Sequence, residues 1–315
     1  MSGLKYLRAY ELDDMRQMVR NTRAPHHTTT ASLAGKTVVI TGATSGVGLA
    51  AAREAARYQA NLVILARNVA KGDAIREELQ RCTPGSVQLL IADFSRLPEV
   101  RRVADEVSRC TPVVDVLINS AGLYSTRRFH TQDGNELVFC VNHLAAFLLT
   151  WKLIPALKRS DGGRIIHVNS QGHRFNGLAL DDLDWRRRIY TGLRAYGASK
   201  TAQLLCAWEL ADRLAGTPVA VNAMHPGEVR TAIGTNNGRL YRWFHRHVIS
   251  RSFKDVTMSG ESLHYLAAAP ELAGVSGRYF NRTHPEKPAP HALDRELGRV
   301  IWETTMHLTR LNDEL

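Results

Sequence analysis

Tyr196 and Lys200 stand four residues apart in the run Leu193-Arg194-Ala195-Tyr196-Gly197-Ala198-Ser199-Lys200. That run opens a proline-free segment, Ala195 to Leu214, whose apolar positions Leu204, Leu205, Trp208 and Leu210 predict a long helix. On a helix the spacing puts the phenol and the ammonium on one face, one turn apart. The positive charge is expected to favour phenolate and to pull the tyrosine pKa below its ordinary value of about 10. A phenol tuned in this way exchanges a proton with an alcohol or a ketone near neutral pH, which is general acid/base chemistry.

A second pattern lies upstream. Lys36-Thr37-Val38-Val39-Ile40-Thr41 is a β-branched run, followed at once by Gly42-Ala43-Thr44-Ser45-Gly46-Val47-Gly48, with a helical pattern from Leu49 to Tyr58. Strand, glycine turn and helix form the context of a dinucleotide cradle. Glycines let the backbone approach a pyrophosphate, and the helix N-terminus turns free N–H groups and positive dipole toward it. The spacing here, Thr-Gly-x-x-x-Gly-x-Gly, differs from the commoner Gly-x-Gly-x-x-Gly. The next strand, Asn61 to Ala66, ends in Arg67-Asn68, where the adenosine ribose should lie. An acidic residue there binds a ribose hydroxyl, whereas an arginine suits a ribose phosphate. Arg67, supported by Ser45 and Lys71, therefore predicts NADP(H) in preference to NAD(H).

Further strands follow at Val87 to Ala92, Val113 to Ile118, Gly163 to Val168 and Thr217 to Met224, with a last short one at Arg278 to Phe280. Helical patterns separate them at Lys71 to Arg81, Pro98 to Arg109 and Asp133 to Lys158, the last with a kink expected at Pro155. A further helix is expected at Gly260 to Ala268. Alternation of this kind predicts an α/β fold: a single doubly wound Rossmann-type domain, its mostly parallel sheet of about seven strands flanked by helices. Residues 35–284 would form the dinucleotide-binding and catalytic domain, 1–34 an N-terminal extension and 285–315 a tail packing on the same domain. Ligands sit beyond the carboxyl ends of such strands. Arg67-Asn68, Asp93-Phe94, Asn119-Ser120-Ala121-Gly122, Asn169-Ser170 and Pro226-Gly227 fall there. Asn142 interrupts an apolar stretch and must find partners, either as a residue that bends the helix or as part of a water chain to the site.

Composition bounds the rest. With 44% hydrophobic and 23% charged residues, 315 residues can bury a full core. No apolar run approaches the length that spans a bilayer, and residues 1–31, with Glu11, Asp13 and Asp14, do not read as a secretory signal. Cys82, Cys110, Cys140 and Cys206 are scattered without metal-ligand spacing, which points to reduced thiols in a cytoplasmic protein and to no metal. The net charge of +11 is spread along the chain with no nucleic-acid-binding motif, so arginine-rich surfaces and a phosphorylated cofactor account for it. Leu4, Leu7, Leu12, Met15 and Val19 would line a short helix or two, as a packing or dimerisation arm or a substrate lid.

Taken in order, Thr41-Gly42-x-x-x-Gly46-x-Gly48, Asp93, Asn119-x-Ala121-Gly122, Asn142, Ser170, Tyr196-x-x-x-Lys200 and Pro226-Gly227 resemble the short-chain dehydrogenases/reductases over about residues 34–282. The third motif reads Asn-Ser-Ala-Gly where that family usually has Asn-Asn-Ala-Gly, and Ser170 precedes Tyr196 by 26 residues, about twice the usual separation. The long insertion, the Asn142-His143-Leu144 run and Arg67 look like the retinol dehydrogenase and WW-domain oxidoreductase branch, without its membrane anchor or extra domain. The resemblance implies that Tyr196 is the proton donor or acceptor and that Lys200 lowers its pKa and holds the nicotinamide ribose. It implies that Ser170 bonds the substrate oxygen and that Asn142 orders a water relay to Lys200. Gly42, Gly46, Val47 and Gly48 would cradle the pyrophosphate, and Asp93 would bond the adenine. Asn119 and Ala121 would flank the adenosine, while Pro226, Gly227, Val229 and Thr231 would pack on the nicotinamide. A homo-oligomer is expected by the same analogy.

Leu240, Trp243, Phe244 and His247 fall at helical spacing with arginines opposite. They read as a lid over a bulky apolar or aromatic ketone, as a packing or dimer helix, or as a docking surface for an anionic membrane. The activity expected is an NADP(H)-dependent interconversion of a small-molecule carbonyl compound and an alcohol; the alternative is a dinucleotide-binding regulator that does not turn over.

Overall fold

Side chains along β1 (Thr37–Thr41) alternate between two apolar layers: Val39 enters one, Val38 and Ile40 the other. That two-residue period, repeated in β2 (Asn61–Ala66), β3 (Val87–Ile91), β4 (Val116–Asn119), β5 (Arg164–Val168) and β6 (Ala220–His225), demands helices on both faces. The computed structural model describes residue 6 and residues 11–227 and 256–312. With β7 (Arg278–Asn281) and β8 (His284–Pro285) the strands form one sheet in the order β3-β2-β1-β4-β5-β6-β7-β8. All neighbours are parallel except β7 and β8. The eighth strand is a two-residue return on β7, too short to leave a periodic signal, which is why about seven were expected.

On one face lie α4 (Leu97–Cys110), α5 (Leu137–Leu157), α6 (Gly192–Arg213) and α8 (Arg295–Thr309), over Val39, Leu65, Leu117, Ile165 and Val221. On the other lie α2 (Gly46–Arg57), α3 (Val69–Gln80) and α7 (Thr257–Ala268), over Val38, Ile40, Leu62, Ile64, Val116 and Ile166. The order reverses between β1 and β4, so their carboxyl ends diverge and open a crevice.

Helix α5 departs from the expected Asp133–Lys158 at its start. Asp133 lies in a turn closed by the Gly134 amide on Thr131 O (3.0 Å), and the Glu136 carboxylate caps the helix from the Val138 and Phe139 amides (3.0 and 2.7 Å). Its irregular turn lies at Cys140–Leu144, well before Pro155: the Ala145 amide bonds back five residues to Cys140 O. This helix is long and apolar enough to cross a bilayer, contrary to the reading of the sequence, where Asn142, His143, Thr150 and Lys152 break the run. Most of that apolar stretch (83%) is buried inside the fold, as the core helix.

The C-terminal segment covers the core. Trp302 of α8 is buried and meets Phe147 and Trp151 of α5 edge-on at 4.9 and 5.8 Å. Helix α1 (Leu12–Arg23) presents Leu12, Met15 and Val19 on one face as expected, but that face is exposed. Its polar side holds it: Asn21 donates to Pro285 O (3.1 Å) and Lys287 pairs with Asp14 (3.0 Å). Leu4, Leu7, the 238–249 segment, Val229 and Thr231 lie outside the described residues.

Candidate active site

Parallel register brings the strand ends to one edge of the sheet: Thr41 pairs with Leu65, Ala66 with Ile91, Asn119 with His167, and Val168 with Met224. The glycine turn, Arg67, Asp93, Ala121, Ser170 and Pro226 each follow one of these ends, and so share that edge.

The glycine turn is shaped by missing side chains. Gly42 takes φ +68° and Gly46 φ +54°, left-handed values that other residues adopt only at a cost. A Cβ on Gly48 would lie 2.5 Å from the Gly42 carbonyl oxygen, so α2 can start against the turn only with glycine there. No side chain caps α2, and its first turn holds no carboxylate, which leaves its leading N–H groups to an anion. Thr41 Oγ1 accepts from the Ser120 and Ala121 amides (2.9 and 2.8 Å) and fastens the 120–122 turn beside the glycines; the serine in the third motif leaves that turn intact.

Tyr196 and Lys200 stand one turn apart on α6, and the Lys200 ammonium lies 5.8 Å from the centre of the Tyr196 ring. The tail of β5 turns back at Gln171–Phe175, where Ser170 Oγ accepts from the Gly172 amide (3.0 Å). That turn packs on α6 closely enough that a Cβ on Gly172 would come within 2.8 Å of the Tyr196 ring. Thr201 Oγ1 donates to Asn176 O (2.9 Å) and holds the inserted segment in place. The Ser170 hydroxyl is thereby brought close enough to the Tyr196 phenol to lower its pKa, despite the long insertion.

The electrostatics differ from the expectation for the pair. Burial raises the Tyr196 pKa, and only the Ser170 hydroxyl draws it back. Lys200 is itself 3% exposed, and burial lowers its pKa to about 7. It donates to Val168 O (2.8 Å) and Gln203 Oε1 (3.3 Å), so its charge is held by acceptors other than the phenol. The acidifying effect of Lys200 read from the spacing is therefore not found in this arrangement.

Asn142 is fully buried in the irregular turn of α5. Its Oδ1 accepts from the Leu123 amide (2.8 Å), and its Nδ2 donates to Leu123 O and Ser199 Oγ (both 3.0 Å). It pins the 121–123 loop to α6. Its main-chain oxygen accepts from Gln203 Nε2 (3.0 Å), so a side-chain amide connects it to Lys200.

The remaining site residues divide by what their side chains do. Arg67 and Ser45 are exposed, Thr44 and Ala121 half-buried and Val47 buried against the turn. Asn68 caps α3 by accepting from the Lys71 amide (2.9 Å). Asp93 is half-buried, with Oδ1 on the Ser95 amide (2.9 Å). The side chains of Phe94 and Asn119 turn inward: Phe94 is buried in the apolar layer under α4, and the buried Asn119 amide donates to Thr150 Oγ1 (2.8 Å). Strand and turn periodicity turn both side chains inward. Gly122 lies against Asn142 Oδ1, and Gly227 has φ +89°, after a buried Pro226 whose carbonyl accepts from Ser259 (2.9 Å).

Reading the sequence missed Asn169, Gln203 and Tyr124. Asn169 Nδ2 donates to Lys200 O (3.0 Å) and Gln203 Oε1 (2.9 Å), and the Tyr124 ring meets Tyr196 edge-on at 6.0 Å. Gln203, one turn after Lys200, carried one signal: an amide at helical spacing from that lysine.

Residues 36–239 match the family model described as short chain dehydrogenase. The chain is 37% identical to human retinol dehydrogenase 13 over 89% of its own length and 86% of that protein. It is 32% identical to the WW domain-containing oxidoreductase of Pongo abelii, over 87% of this chain and 68% of that one. A crystal structure of a protein from Mycobacterium paratuberculosis superposes with a TM-score of 0.73 at 31% identity, covering 92% of this chain and all (100%) of that one.

Proposed function

The chain belongs to the short-chain dehydrogenase family, as an NAD(P)-dependent oxidoreductase, and from that premise we propose that it interconverts a ketone or aldehyde and the corresponding alcohol. We propose further that its substrates are bulky and apolar or aromatic, and that NADP(H) is preferred to NAD(H). The observation that carries the reading is the packing of the Ser170 turn on the Tyr196 ring across a long insertion at the carboxyl edge of the sheet, with Lys200 one turn away.

The residues fit a dinucleotide: the cleared glycine turn and the uncapped start of α2 suit a pyrophosphate, and exposed Arg67 at the end of β2 suits a ribose phosphate. When bound, the nicotinamide supplies or accepts the hydride. The protein handles the proton. Tyr196 donates it to the carbonyl oxygen in reduction and takes it from the alcohol in oxidation. Ser170 donates to the same oxygen as negative charge grows on it. Leu193, one turn before Tyr196 on α6, is largely exposed, and the Tyr124 ring meets Tyr196 edge-on.

The test is NADPH consumption with a panel of aldehydes and ketones graded in size, in parent and Tyr196→Phe proteins. The variant should lose about 10²–10⁴-fold in kcat while binding NADPH as before. Turnover that survives the loss of the phenol hydroxyl would end this reading.

A further inference from the structure

Lys200 Nζ has three N–H donors, and the interior accounts for two of them: Val168 O at 2.8 Å and Gln203 Oε1 at 3.3 Å. Gln203 is itself 3% exposed, with both ends of its amide in use. Its oxygen also accepts from Asn169 Nδ2 (2.9 Å), and its nitrogen donates to the main-chain oxygen of Asn142 (3.0 Å). The amide has one allowed orientation, because Lys200 and Asn169 offer it only donors and the Asn142 carbonyl only an acceptor. Reversing it would set like against like at all three contacts.

We infer that Gln203 is a positioning residue for Lys200, its amide bridging the Asn142 carbonyl and the lysine ammonium so that the remaining Nζ donor is directed toward the Tyr196 side. The inference rests on the reaction assigned above only for its catalytic consequence. An amide accepts at one end and donates at the other without handing a proton along its length, so this bridge holds the lysine rather than relaying protons. It also ties the widened turn of α5, where Asn142 lies, to α6. The charge on Lys200 is otherwise poorly supported: burial disfavours it, the neighbouring His143 from α5 and His167 from β5 are held neutral, and Tyr196 offers no anion while protonated. The Gln203 oxygen is thus the side-chain acceptor that holds the ammonium in its buried place.

The test is a double-mutant cycle of Gln203→Met and Lys200→Met, read as denaturant unfolding of the protein without added cofactor at pH 6 and pH 9. At pH 6 the coupling should be about tenfold in the folding constant, and it should shrink at pH 9, where Lys200 is mostly neutral. Gln203→Met should also move the onset of the Lys200-dependent rise of stability about one unit to lower pH, since the ammonium loses an acceptor. Should Gln203→Met not fold, Gln203→Asn, one methylene shorter, gives the same comparison with smaller shifts. A coupling near unity at both pH values overturns the assignment whatever the activity, since a residue that merely fills space has no partner in Lys200. Coupling at pH 6 in a protein whose turnover survives Tyr196→Phe would keep Gln203 on Lys200 and end the proposed reaction instead.

Discussion

At the glycine turn the chain makes room by leaving side chains out, whereas around Lys200 it fills the interior with polar side chains that hold one another. The first region is backbone, hydroxyl and hydrogen: Thr41 ties two amides, and Gly42, Gly46 and Gly48 let helix and turn meet. The second is a buried network of Asn142, Asn169, Lys200 and Gln203, each with at least two hydrogen bonds. A cradle made of absences is damaged by added atoms. A network of mutually satisfied groups is damaged by removed partners and by changes of charge.

The largest difference should appear in the pH dependence of stability. Lys200 titrates near 7 in the folded chain against 10.5 when unfolded. Between those values the unfolded chain holds a proton that the folded chain has released. Stability therefore rises with pH across that window, by up to about 1.4 kcal/mol per unit, and the gain is gone once pH falls below 7. Denaturant unfolding at pH 7, 8 and 9 should show this slope, and Lys200→Met should flatten it; a slope unchanged in the variant would place the titration elsewhere. Glycine-turn variants should leave the slope alone.

Next in size is Gly48→Ala. Its Cβ would press on the Gly42 carbonyl, so the turn must shift: NADPH should bind at least about tenfold more weakly, with a stability loss of about 1–3 kcal/mol. Calorimetric binding that matches the parent would break the comparison, because the cradle would then tolerate an added atom. The smallest effect expected is that of Arg67→Asp, a change at an exposed site. NADPH affinity should fall about tenfold, the worth of one charge-assisted contact, with NADH affected much less. Equal losses for both cofactors would remove the ground for the preference.

How much of this was legible depends on how far apart the partners lie in the chain. Strand, glycine turn and helix at Thr37–Arg57 are one contiguous pattern, and the helix pairing Tyr196 with Lys200 spans a single turn. The direction of the Tyr196 shift was misread because the spacing shows that Lys200 is near but not that it is buried and bonded to Val168 and Gln203. The inward side chains of Phe94 and Asn119 were hidden for a related reason: a residue at a strand end is adjacent to the crevice in sequence, yet its side chain can face the core.

The sequence by itself determined the alternating elements, the family, the glycine turn and the residue types at the strand ends, since each is carried by period or by neighbours within a few positions. Only the tertiary structure decided that Ser170 reaches Tyr196 across 26 residues, that Asn142 pins a loop, and that Gln203 bridges it to Lys200. Those contacts join β5, α5 and α6, and hydrogen bonds between distant segments exist only once the packing of the elements has brought donor and acceptor together.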